Sequence, residues 1–231
     1  MNRRFLAASL AAFSLLTCAT QVALGGGVAS LTSADAAGGI KAALSQGINT
    51  AVGELGAPDG FLKNPKVTIP LPPALQKAEQ GLRVFGMGAD ADALKNGMNH
   101  AAENAMHEAL PVLKNALHSM SLEDAKGILT GGNDAATAYF RRTTSAELTT
   151  RFKPIVARAT ARLKLADLYN RYAGQAAKFG LLKSQDADVD DYVTAKALDG
   201  LFLEMAVEEQ AIRKDPLGQT SSLIKKVFGS L

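Results

Sequence analysis

Side chains that could do chemistry fall in three stretches of this chain. The first, NHAAENAMHEAL, sets His100, Glu103 and His107 on one helix-forming segment. Imidazole and carboxylate are zinc ligands, and Glu103 with His107 at i,i+4 could occupy two positions of a tetrahedral sphere. A helix rise of about 1.5 Å per residue puts His100 and His107 about 10 Å apart and His118 about 16 Å further, too far for one ion to collect them. On a helical wheel starting at Leu94, the residues Met98, Ala101, Ala105, Val112, Ala116 and Met120 gather on one side, and all three histidines fall opposite with Asn96 and Lys114. The pattern predicts a solvated polar face. A metal site would need ligands from another element.

The second stretch, DADVDDY, spaces Asp186, Asp188 and Asp190 like positions 1, 3 and 5 of a calcium loop. Asp191 stands where that loop needs glycine and Ala197 where it needs a bidentate glutamate, so this is no EF-hand. Carboxylates at a helix start satisfy free amides and favour the dipole, and capping is the expected role. Calcium is the one cofactor these three residues could take, in a site of another geometry.

The third is a charge asymmetry. From Asn133 to Lys164 there are seven basic residues (Arg141, Arg142, Arg151, Lys153, Arg158, Arg162, Lys164) against two acidic ones, whereas Lys183 to Asp215 holds four basic and nine acidic. Either the two segments face each other, or the arginines form a contact surface for anionic lipid headgroups, lipopolysaccharide or a polymer. Arg151, Arg158 and Arg162 share one helix face by i+7 and i+11 spacing, which makes such a surface coherent. Signatures of catalysis are missing from the sequence: no G-x-S-x-G elbow, no H-E-x-x-H pair, no glycine-rich phosphate loop. GGND reads as a helix C-cap followed by an N-cap, with amides that could bind a small anion. Asp199 and Glu204 are five apart, the wrong spacing for an acid/base pair on a helix, and Gly200 between them reads as a close-packing position.

The elements that must carry these residues are helices. Ile40, Leu44, Ile48, Val52 and Leu55 recur at helical spacing after a Thr32/Asp35 capping pattern, and Gly39, Ala43, Gly47 and Ala51 form a row of small residues that admits a close neighbour. GFLKNPKVTIPLPP reads as an extended connector laid on the helices by Val67, Ile69 and Leu71, with Pro73 opening the next helix. A long helix follows from about Asp90 to Met120, with a kink expected at Pro111. Ser121 with Asp124 caps a short helix, Asn133 or Asp134 caps AATAYFRR, and Thr144 with Glu147 caps a separate basic helix. After a stop at Gly180, a helix runs from Tyr192 to Lys214 and a short one closes the chain at 222–231. The expected fold is all-α, a single multi-helix bundle-like domain over 26–231 with one extended proline-containing connector.

Residues 1–25 read as a signal peptide: Arg3 and Arg4, then an apolar run from Phe5 to Leu16, then Ala23 and Gly25 at cleavage spacing. The only cysteine, Cys18, lies within it, and Thr17 before it argues against a lipid anchor. The expectation is a periplasmic or secreted protein without disulfides and without a membrane span. Beyond residue 25 the chain holds 23 basic and 22 acidic side chains, because only Arg3 and Arg4 are lost, and this balance argues against nucleic acid as a partner.

AAGGIKAALSQGI, LGAPDGFLKNPKVTIPLP, GGNDAATAYFRR, DDYVTAKALDGLF and KKVFG together resemble a bacterial exported family defined as domain of unknown function 4197. The resemblance spans roughly Gly38 to Gly229 and implies an exported, mostly helical domain without an established activity. The expected function is non-covalent binding or structural work at the cell envelope, with the arginines meeting an anionic component or a protein partner. A carrier that holds an apolar ligand between helices, or a metal-binding protein or enzyme, is the alternative.

Overall fold

The computed structural model describes residues 33–178 and 187–215. The proposed signal peptide with Cys18, the Thr32 cap, Gly180, Asp186 and the closing helix lie outside them. The chain divides into two units, Met1–Ser30 and Leu31–Leu231, and the described residues belong to the second. They form seven helices and no strand: α1 Ser33–Gly56, α2 Pro73–Val84, α3 Gly88–Ser119, α4 Leu122–Thr130, α5 Ala135–Thr160, α6 Lys164–Lys178 and α7 Val189–Lys214. Helix α3 packs on α1 and α5, and α7 packs on α5 and α1. None of the described helices is long and apolar enough to cross a membrane.

The predicted stripe of α3 is the centre of the core. Leu94, Met98, Ala101 and Ala105 are fully buried, with Val112 and Met120 close behind. Phe61, Phe140, Phe152 and Phe202 complete the interior, each contributing about 1.5–3 kcal/mol by leaving water. The small-residue row of α1 works as expected: at Gly47 a side chain would meet Glu208 Cβ at 3.5 Å and Ile212 Cδ1 at 3.7 Å, so α7 lies directly against it.

Residues 57–72 form the connector, and Val67, Ile69 and Leu71 are buried as the sequence predicts. The expected extended path is corrected for its first part: 57–67 fold into successive turns, closed by bonds such as Lys63 N–H to the Asp59 carbonyl and Val67 N–H to the Asn64 carbonyl, and only 68–72 lack turns. Two glycines make its path possible. A Cβ at Gly60 would sit 2.3 Å from the Glu54 carbonyl oxygen, and one at Gly200 of α7 would sit 2.8 Å from Phe61 Cε1. Gly200 therefore admits a phenylalanine of the connector where the sequence suggested a helix.

One boundary differs in kind from expectation. Thr144 caps no separate helix; α5 runs unbroken through it. Its hydroxyl donates to the Phe140 carbonyl at 2.6 Å, and Phe140, Thr144, Leu148, Phe152 and Val156 form one buried stripe at i,i+4 steps. A hydroxyl satisfied within the helix can sit mid-helix, and tertiary burial outweighs its capping preference. The real break comes at 161–163, between α5 and α6. Elsewhere Ser121 and Asp124 form the expected capping box, and Pro111 lies inside α3.

Candidate functional site

The histidine stretch on α3 is partly as expected. His100, His107 and His118 are exposed, but Glu103 between them is buried, with 5% of its surface accessible. The reading of a wholly solvated face is corrected at that residue. Glu103 Oε1 accepts the Phe61 and Leu62 amides at 3.1 and 3.2 Å, and Oε2 pairs with His100 Nδ1 at 2.8 Å. One turn earlier Asn99 brackets Ile69, accepting its N–H at 2.8 Å and donating to its carbonyl at 2.9 Å. Tyr192 donates to the Pro70 carbonyl at 3.2 Å. Glu103 thus holds the turn at 61–62, while Asn99 and Tyr192 supply residues 69–70 with hydrogen bonds like those a neighbouring strand would give.

At the start of α7, Asp188 is the N-cap and accepts the amides of Asp190 and Asp191 at 2.8 and 3.2 Å. Asp190 accepts a short hydrogen bond from the Thr160 hydroxyl. Burial, opposed by that hydrogen bond and reinforced by Asp188 and Asp191, holds its carboxyl above the usual carboxylate range. Asp191 pairs with Lys153 at 2.5 Å. The aspartates thus turn to separate partners on α5 and α7.

Much of the basic segment is answered within the fold. Arg141 reaches Asp199 at 3.4 Å and lies 4.7 Å over the Phe202 ring, while Arg151 pairs with Glu147 at 2.9 Å and Glu108 at 3.3 Å. Arg142 lies 5.6 Å over the Tyr139 ring. An open groove of about 430 Å³ runs between α5 and α7, lined by Arg141, Ser145, Thr149, Thr194 and Asp199, and the buried Thr194 hydroxyl there has no partner. The single helix face expected for Arg151, Arg158 and Arg162 is corrected at its last member: α5 ends at Thr160, and Arg162 stands in the turn that follows. Arg158 and Arg162 are both exposed and have no counter-ion among the described residues. Lys164 follows, also exposed.

Two glutamates of α7 do what the sequence did not announce. Glu209 accepts the Ala136 and Thr137 amides at 3.0 and 2.9 Å and the Thr137 hydroxyl at 2.9 Å, and it pairs with Arg213 at 2.9 Å. Asp134 at the N-cap of α5 makes no capping hydrogen bond. The anion that the GGND turn was expected to attract is a carboxylate of the protein itself. Glu204 differs: it is buried, and its Oε2 has no hydrogen-bond partner. Its carboxylate lies with those of Glu54 and Glu208 in a cluster whose facing oxygens are all within 4.8 Å of one another. Burial first, then the charges of Glu54 and Glu204, raises the Glu208 carboxyl above its usual range. A buried oxygen without a donor costs about 1–3 kcal/mol. No periodicity could have found this cluster, because Glu54 belongs to α1 and the others to α7.

The apolar void between α1, α5 and α7, lined by residues such as Leu44, Ile48, Phe140 and Met205, holds about 20 Å³. A ligand pocket is commonly about 300–1,000 Å³, so this void takes no more than a water.

A family model described as a protein of unknown function, DUF4197, matches residues 30–229. No curated protein and no solved structure matches the chain.

Proposed function

Because the chain belongs to the DUF4197 family of proteins of unknown function, which prescribes no activity, we propose from its own geometry that it is an exported envelope protein that docks on an anionic surface. The docking edge is the end of α5 and the start of α6, where Arg158, Arg162 and Lys164 stand. The observation that carries this reading is the pair Arg158 and Arg162, exposed and without counter-ions among the described residues, while Arg141, Arg151 and Lys153 of α5 meet carboxylates. Cations left free beside a surface of anionic lipid gain about 1 kcal/mol each, a gain that fades beyond a Debye length and weakens as salt shortens that length. The signal-like segment at 1–25 supports export. The mechanism is electrostatic contact without chemistry on the ligand.

Co-sedimentation with vesicles of neutral lipid and of neutral lipid doped with anionic lipid tests it. Wild type is expected to bind the anionic vesicles at low salt and to be released as salt rises. Arg158→Glu with Arg162→Glu should abolish that binding and leave the circular dichroism spectrum and melting unchanged, since neither side chain has a partner among the described residues. Equal binding of the double variant, or equal binding to neutral vesicles, would sink the reading.

A further inference from the structure

We propose that Glu54, Glu204 and Glu208 form a binding site for one hard divalent cation, calcium by its tolerance of an irregular carboxylate sphere, at the seam of α1 and α7. This site shares no residue with the docking edge and does not rest on that reading. Its position follows from the packing: Gly47 admits α7 against α1, Glu54 stands two turns beyond Gly47 on the same face, and Glu204 and Glu208 are one turn apart on α7. The two helices run antiparallel there, so the three carboxylates converge.

Two independent observations point to a cation. Among the described residues none of the three carboxylates meets a basic side chain or a hydrogen-bond donor, although arginines elsewhere on the molecule are paired. Glu204 is 94% buried, since 6% of its surface is accessible, and it carries an unpartnered oxygen in this cluster. A buried carboxylate set among other carboxylates can be satisfied by a shared proton, a water or a metal ion, and only the ion answers all three groups at once. Glu54 is exposed and Glu208 half-buried, so the ion could enter from solvent and complete its sphere with water.

Ligand number and flexibility choose among ions. The facing oxygens lie within 4.8 Å of one another, close enough for one ion to touch all three. Calcium takes about six to eight oxygens in an irregular sphere, whereas magnesium demands a near-ideal octahedron, keeps most of its waters and is usually held by only one or two carboxylates. An all-carboxylate set without histidine or thiolate suits the hard ions over zinc or copper. Bound there, the ion would tie α1 to α7 and stabilise the fold by an amount that grows with the logarithm of its free concentration over its dissociation constant.

The test is calorimetric titration of the chelator-stripped protein with calcium chloride, with magnesium chloride in parallel, and scanning calorimetry at each end point. One calcium per chain is expected, with a dissociation constant of about 1 mM or tighter, as in exposed extracellular sites, and an upward shift in melting temperature. Magnesium should bind at least about tenfold more weakly. Glu204→Gln keeps the shape and offers the remaining carboxylates a donor, so it should fold and lose calcium affinity by about tenfold or more; Glu54→Gln, at an exposed position, is the second variant should the first not fold. Asp188→Asn, at the α7 cap, should bind calcium as wild type does. No saturable calcium heat in the wild type overturns the proposal, as does affinity unchanged in both glutamine variants. Loss in D188N with retention in E204Q would move the ion to the α7 cap and overturn it too, and magnesium binding as tight as calcium would overturn the choice of ion.

Discussion

Glu204 and Glu209 lie five residues apart on α7, each with 6% of its surface accessible, and their surroundings are opposite. Glu209 meets two helix amides, a hydroxyl and a guanidinium. Glu204 has a bare oxygen and two more carboxylates. Equal burial therefore says nothing about what a charge contributes; the partner does. At Glu209 the buried anion is an internal ligand that starts α5 and anchors α7 to it. At Glu204 the same side chain is an unmet demand, which is why that place and not the other is a candidate ion site.

The largest expected effect is at Glu209. Glu209→Ala should cost about 3–5 kcal/mol, because it strands Arg213 and frees the first amides of α5 at once. Urea unfolding followed by circular dichroism measures it, and a loss below about 1 kcal/mol would erase the contrast with Glu204. Next comes Glu103, a third buried carboxylate satisfied by amides. Glu103→Ala should cost about 2–3 kcal/mol and make the Phe61 and Leu62 amides exchange faster in hydrogen–deuterium exchange. Unchanged exchange there would mean that packing alone holds the connector.

The smallest effect sharpens the comparison at a half-buried group. Asp190 faces Asp188 and Asp191 on its own element and Thr160 and Lys153 on α5, and its folded pKa is raised. A carboxyl with a raised folded pKa contributes stability that is fully present below the unfolded pKa of about 3.9 and is lost as pH rises through the folded value. Asp190→Asn retains an acceptor for Thr160 and removes this dependence. The variant should melt slightly higher than wild type at pH 7, with the gap closing in acid; a gap that widens in acid would reverse the assignment of burial as the cause.

Helix positions were largely legible, since Leu94, Met98, Ala101 and Ala105 announce a buried stripe through spacing alone, and Ser121 with Asp124 announces a start. Thr144 with Glu147 misled, because the same local pattern occurs where a hydroxyl turns back on its own helix. The site residues were less legible. Asn99 and Glu103 lie on the helix whose histidines drew attention, yet their partners are in the connector, 30 to 42 residues away. Glu209 caps a helix that begins more than seventy residues earlier. No local pattern encodes such pairings.

The sequence by itself determined an all-helical chain, its buried stripes, a row of small residues for a close helix contact, and a proline-containing connector with apolar teeth. These follow from period, volume and backbone freedom, which are local properties. The tertiary structure decided which charges are answered. It set Arg141 and Lys153 against α7, gave Glu209 to the start of α5, and left Glu204 facing Glu54 and Glu208. Electrostatic partnership depends on distances between side chains remote along the chain, and only packing sets those distances.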